Sequence, residues 1–185
     1  MNPKSNSINE TRHIRRLSGA LSAACAVLIV CLPISVILYW AMAGETELAV
    51  RANLPSAGAV RSLQAWQRIC GAVLTEIPIA VLAFGLWQAR KCFRLFLSGR
   101  VFAVEAVSCL QRFAGCVLVS VVVGFFAGAG ISAVLTLQNP PAMRHVALGF
   151  GSEQVFTVFF AGLVWLMAAV ISQGQSLAEE NATFV

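Results

Sequence analysis

Aspartate is absent from this chain, histidine occurs twice, tyrosine once, and charged residues of either sign make up only 11% of its 185 positions. That supply is too thin for most acid-base or metal chemistry. No nucleophile stands at a useful spacing from a base, no set of metal-ligand spacings occurs, and no glycine-rich phosphate loop is present. The sequence therefore reads as non-enzymatic and implies no cofactor and no metal. Scarcity of charge also excludes an ordinary solvated globule. Hydrophobic residues reach 58% and the mean hydropathy is +0.80, well outside the soluble balance. Lipid is the natural solvent for most of the chain. A net charge of +5 would suit nucleic acid if the cations formed one face of a soluble fold. They stand instead at the ends of apolar runs, so no direct nucleic-acid binding is expected.

Six cysteines are present, but their placement argues against a disulfide framework. Cys25, Cys31, Cys109 and Cys116 lie in or beside apolar runs, Cys92 lies among cations, and Cys70 has no obvious partner. They are expected to be free thiols that pack as small apolar groups.

What is present is four long apolar segments, and the expected class is an all-α, polytopic membrane protein with four transmembrane helices. Residues 1–16, with Lys4, Arg12, Arg15 and Arg16 against Glu10, read as a polar basic tail, mobile to about Arg12. The first span covers about residues 17–43, longer than the roughly 20 residues a crossing needs. Ala41-Met42-Ala43 has the form of a signal cleavage site, but the apolar run is about twice a normal signal core. Tyr39 and Trp40 are read as markers of the outer interface. An outer loop follows, with Asn53, Pro55, Ser56 and Gly58 as loop formers.

The second span covers about 66–89 and its helix is expected to continue into the interface until Ser98-Gly99 ends it. The third covers about 107–137, with Glu105 in its first turn and Asn139-Pro140-Pro141 as its stop. The fourth runs over 155–172, where Gly174 is expected to close it, and residues 173–185 form an acidic tail.

Between the second and third spans lie Arg90, Lys91, Arg94 and Arg100, four cations within eleven residues. Cations next to a span are retained on the cytoplasmic side, so this loop fixes the topology. On that assignment nine Lys and Arg lie inside, and four, Arg51, Arg61, Arg68 and Arg144, lie outside. The expected location is the cell membrane, multi-pass, with N and C termini cytoplasmic. Attraction of anionic lipid headgroups, or of a cytoplasmic partner, to Arg90, Lys91, Arg94 and Arg100 follows from charge.

Glu76 is the only acid well inside an apolar run. An acid at mid-helix costs at least about 2.5 kcal/mol to insert, so it should face the interior and be partnered or protonated. It lies about 10 Å below Ile69 at 1.5 Å per residue. At the same depth on the other helices fall Ser35, beside Pro33, then Gly128 with Gly130, and Gly162. Pro78 frees a backbone carbonyl close by. Two readings stay open: a small polar site in which Glu76, Ser35 and Pro78 take a proton or cation, or close helix packing through glycines with Glu76 protonated or reaching toward Arg68. His145 in the second outer loop reads as a solvated loop histidine.

Phe93, then Ser98-Gly99 with Phe102, Leu110 and Gly115, and the ending Gly174-x-x-Leu177-x-Glu179-Glu180-Asn181-x-Thr183-x-Val185, resemble the DUF2975 family of bacterial membrane proteins, whose function is unassigned. Ala103 departs from the family's usual Ser or Thr, where a hydroxyl would cap the third helix. The resemblance covers about half the chain. It implies a four-helix protein of the bacterial inner membrane and a cytoplasmic helix-turn-helix regulator as partner, and it supplies no catalytic residue. The expected function is a non-enzymatic sensing or interaction component. The alternative is a small transporter or channel subunit using Glu76, which would favour a homo-oligomer.

Overall fold

The computed structural model describes residues 3–52, 54, 63–98, 104–140, 144, 146–149 and 151–183, with side chains over 15–52, 54, 63–98, 104–140, 144, 146–149, 151–174 and 176. The fold is all-α. Its elements are α1 (Pro3–Met42), α2 (Glu45–Arg51), α3 (Ala65–Leu97), α4 (Val104–Thr136) and α5 (Ser152–Thr183), with no strand among the described residues. Four segments are long and apolar enough to cross a membrane: Arg15–Met42, Ala65–Leu97, Val104–Thr136 and Ser152–Gly174. The chain is a polytopic membrane protein with four transmembrane helices.

Both tails are helical where their polarity suggested solvated chain. α1 starts at Pro3, a residue suited to the first helical position because its fixed φ is helical and its missing N–H would be unpaired there anyway. Once the apolar span nucleates a helix, each added residue costs little, so the Lys, Glu and Arg of the basic tail propagate it. Gly174 likewise does not end α5, which runs on to Thr183. A single helical glycine costs only about 1 kcal/mol relative to Ala, and Leu177 to Glu180 are good helix formers. The expected stops at the other ends hold: α3 ends at Leu97, where the Ser98 amide bonds back to Arg94 and Leu95, and α4 ends at Thr136. Gly99, Arg100, Phe102, Ala103, Pro55, Ser56, Gly58, Pro141 and His145 lie outside the described residues.

Contacts divide the chain into two units, and each long helix contributes to both. The first comprises Met1–Ile29, Ala83–Val117 and Phe159–Val185. Its buried positions are, apart from Val107 on α4, small or polar: Ser18, Ser22 and Cys25 along α1, Gln88, Ala89 and Cys92 on α3, Ala106 and Ala114 on α4, Ala161 and Ala168 on α5. Small side chains let helix backbones approach, as lipid-embedded packing requires. At Gly85 a Cβ would lie 2.8 Å from Cys116 Cβ, so α3 and α4 meet there at glycine distance. Large side chains point away: Phe159, Phe160, Leu166, Met167 and Val170 on α5 are all exposed, the arrangement expected where hydrocarbon is the solvent.

The second unit comprises Val30–Leu82 and Leu118–Val158. It holds the one contiguous cluster of buried apolar residues among those described: Trp40, Ala43, Leu48, Ala49, Ala52 and Leu135. Half of that cluster comes from α2 and the residue after it, a segment read from the sequence as plain loop. Leu48, Ala49 and Ala52 recur at helical spacing and face the cluster, while Glu45, Glu47 and Arg51 stay exposed. Glu45 and Glu47 in its first turn and Arg51 in its last complement the helix dipole. Trp40, expected at an interface rim, is 4% exposed because α2 folds over it.

Candidate functional site

The second unit is joined at one end by side chains from the first turn of α3. Gln64 precedes α3 and Gln67 is its third residue, so Gln67 can reach back as a capping residue does. Its Oε1 accepts the Gln64 N–H at 3.0 Å, and its Nε2 donates to Val134 O at 3.0 Å in the last turn of α4. The next residue, Arg68, donates from Nη1 to Trp40 O at 2.8 Å and Ala41 O at 3.4 Å in the last turn of α1. α1 has no basic residue of its own there. Carbonyls at a helix end lack intrahelical donors, so one turn of α3 satisfies two neighbouring helices.

A turn deeper, Trp40 lies against Gly71, where a Cβ would fall inside the indole. Trp40 Nε1 donates to Thr75 Oγ1 at 3.1 Å, and Thr75 Oγ1 donates to Gly71 O at 2.7 Å. The loops are tied to the same end. Glu45 Oε1 accepts the Leu63 N–H at 3.1 Å, and the buried Ser132 Oγ accepts the Ala147 N–H at 2.9 Å.

Glu76 follows Thr75 directly. Its Oε1 is buried and has no hydrogen-bond partner. Pro78, inside the same helix, packs near Gly124, whose added Cβ would lie 3.8 Å from Pro78 Cβ. Ser35 is exposed, and its hydroxyl donates to Leu32 O at 2.8 Å in its own helix. Leu74 fills the space beside Gly130, where an added Cβ would lie 3.3 Å away, whereas Gly128 and Gly162 have open space. The glycines of this layer thus serve different ends. Gly124 and Gly130 admit α3 side chains, and an added Cβ at the other two would meet no atom of the described residues within 4 Å.

The basic stretch belongs to the first unit. Lys91 is exposed, and its Nζ lies 3.7 Å from the centroid of the exposed Trp87 ring, one turn back. Arg94 is exposed, while Arg90 is half-buried and its Nε is buried without a hydrogen-bond partner. Gln88, 4% exposed, lies with Oε1 4.0 Å from Cys109 Sγ. All six cysteines are free thiols. Among the described residues no three His, Cys, Asp or Glu side chains converge.

Gln67 and Thr75 were not singled out from the sequence, and Arg68 was read only as an outer cation toward which Glu76 could reach. Gln64-x-x-Gln67 before an apolar run was the available signal for one of them, since it has the spacing of a capping box. Nothing local marks Arg68, whose partners lie 28 and 27 residues away.

The sequence profile of a family described as "Protein of unknown function (DUF2975)" matches residues 37–185. The match begins inside α1 and takes in all of α2 to α5, well beyond the motifs near Gly99 and the C-terminus. No curated protein and no solved structure matches the chain.

Proposed function

The chain belongs to the DUF2975 family, and from that premise we propose that it is a non-enzymatic sensing or interaction component of the bacterial inner membrane, engaging anionic lipid headgroups through the end of α3. The observation that carries this reading is the arrangement of Arg90, Lys91 and Arg94. Arg90 and Arg94 are one turn apart on a helix, where like charges repel. Lys91 is stacked on Trp87 at the edge of the apolar span, and the Arg90 Nε lacks a protein acceptor. Phosphate oxygens of headgroups at the exposed Lys91 and Arg94 would relieve the repulsion. The tryptophan and the apolar residues after it, Phe93 and Phe96, set the depth of the helix end. A cytoplasmic helix-turn-helix regulator is the protein partner proposed for the same face.

The test is lipid analysis of full-length protein extracted in polymer discs with its native annulus. Anionic phospholipids should be enriched over the bulk membrane, and a variant with Arg90, Lys91 and Arg94 all changed to Gln should lose that enrichment. Wild-type discs with bulk lipid composition would refute the reading.

A second reading, a small transporter or channel subunit using Glu76, is favoured by one observation, the buried Glu76 Oε1 without a partner. Ion flux into proteoliposomes that is abolished by Glu76→Gln would support it.

A further inference from the structure

We infer that Glu76 is a proton-binding site inside the membrane span, and that its ion is the proton rather than a metal cation. This rests on the second reading above for the premise that Glu76 takes up an ion, and it does not require that the ion be carried across.

Few groups could neutralise a carboxylate at this position. α3 carries no other charged residue between Arg68 and Arg90. No Lys, Arg or His occurs in residues 30–42, 118–136 or 152–158, so the parts of the other spans that belong to this unit supply no counter-charge. Within the second unit the remaining titratable or charged groups among the described residues are few. α1 offers Cys31, which is exposed, and Tyr39, whose ring is covered by Arg51 at 4.9 Å. Arg68 is engaged with the Trp40 and Ala41 carbonyls. Glu45 is held by the Leu63 amide, Glu47 is exposed on α2, Cys70 stands on α3 itself, Arg144 donates to Asn139 O, and Glu153 lies in the first turn of α5. The segment of α4 in this unit, from Leu118, carries no titratable group. An ionised Glu76 would be an unpaired charge in hydrocarbon, the costliest state open to it.

A metal cation would need several oxygen ligands around one point. Thr75 Oγ1 already accepts from Trp40 and donates to Gly71, and the Ser35 hydroxyl donates within its own helix. A proton needs no such shell. It needs one carboxyl oxygen and, once bound, an acceptor for the O–H. A backbone carbonyl of the preceding turn of α3, toward which a helical side chain leans and which keeps a second lone pair, can serve as that acceptor. Glu76 also stands between the Thr75 bond to α1 and the Pro78 contact with α4. Gain or loss of its proton therefore acts where α3 meets both neighbours.

The experiment is carbodiimide modification of full-length protein in lipid nanodiscs, read by intact mass and peptide mapping. A lipid-soluble carbodiimide adds to a protonated carboxyl and leaves a stable N-acylurea on it. A single adduct is expected on Glu76 in mildly acidic buffer, lost in alkaline buffer, with the exposed Glu105 and Glu153 reacting only with a water-soluble carbodiimide. Mapping on the wild-type chain locates the adduct whether or not Glu76→Gln folds. Absence of a Glu76 adduct at every pH overturns the inference. An adduct suppressed by sodium, potassium or calcium ions at constant pH overturns the choice of proton and leaves ion binding standing. An adduct insensitive to both pH and added cations overturns the ion-binding reading as well.

Discussion

Trp40 occupies the space that any side chain at position 71 would need, so α1 reaches α3 through an indole seated directly on a glycine. The bond from its Nε1 to Thr75 Oγ1, 3.1 Å long, fixes the ring in that seat. Gly71→Ala should therefore push the indole off its seat and break this bond. Overpacking of this kind costs about 1–3 kcal/mol. Thermal unfolding in mild detergent, followed by tryptophan fluorescence, should show a lower midpoint. Thr75→Val, which removes only the hydroxyl, should show a smaller fall.

Arg68 stands in for the basic residue that the end of α1 lacks. Arg68→Ala should cost about 1–2 kcal/mol, the upper part of the range for a cation at a helix C-terminus, because the carbonyls are partly buried. Arg68→Lys should recover part of the loss, since charge is kept but the planar fork is not. Hydrogen exchange at the amides of the last turn of α1 should rise in the Ala variant before exchange rises in α4.

Gln67 is 1% exposed and bonded at both ends. Gln67→Leu keeps the volume but leaves the Gln64 N–H and the Val134 carbonyl without partners, each worth about 1–3 kcal/mol if it stays buried. This single change is expected to be more destabilising than Arg68→Ala. Equal or smaller loss in chemical denaturation would show that water replaces the amide.

The cations beside the spans predict an orientation that labelling can check. A cysteine introduced at Glu47, exposed on α2, should react with a membrane-impermeant maleimide on intact cells. A cysteine at Ser98, exposed at the end of α3, should react only after permeabilisation. The opposite pattern would reverse the topology and move the basic stretch to the other face.

The four spans were legible in the sequence because composition alone specifies them: a bilayer asks for length and apolarity, and a charge in the wrong place is excluded. The ends at Leu97 and Thr136 were legible for a similar reason, since Ser98-Gly99 and Asn139-Pro140 are local breakers. The ends at Pro3 and Thr183 were not. Polar helix formers such as Lys4, Glu10 and Glu179 suit a helix or a solvated tail equally well, and only attachment to a span decides. α2 escaped notice because seven residues with two buried positions give too short a pattern to separate from loop. The junction of Gln67, Arg68 and Trp40 was illegible in principle. Its bonds join residues 67 and 28 positions apart, and no local pattern encodes which carbonyl a side chain will meet. At Glu76 the sequence supplied the anomaly, an acid in an apolar run, and the structure added that one of its oxygens meets no donor.

The capping turn of α3 bears on biogenesis. A ribosome delivers α1 first, and until residue 68 has been synthesised the exit end of that helix has only headgroup water for its last carbonyls. The end of α4 emerges later still and closes onto Gln67, already waiting. Assembly of this corner is therefore ordered by translation. A chain halted between α2 and α3 should remain a loosely anchored hairpin open to membrane proteases, and one released after α4 should resist them.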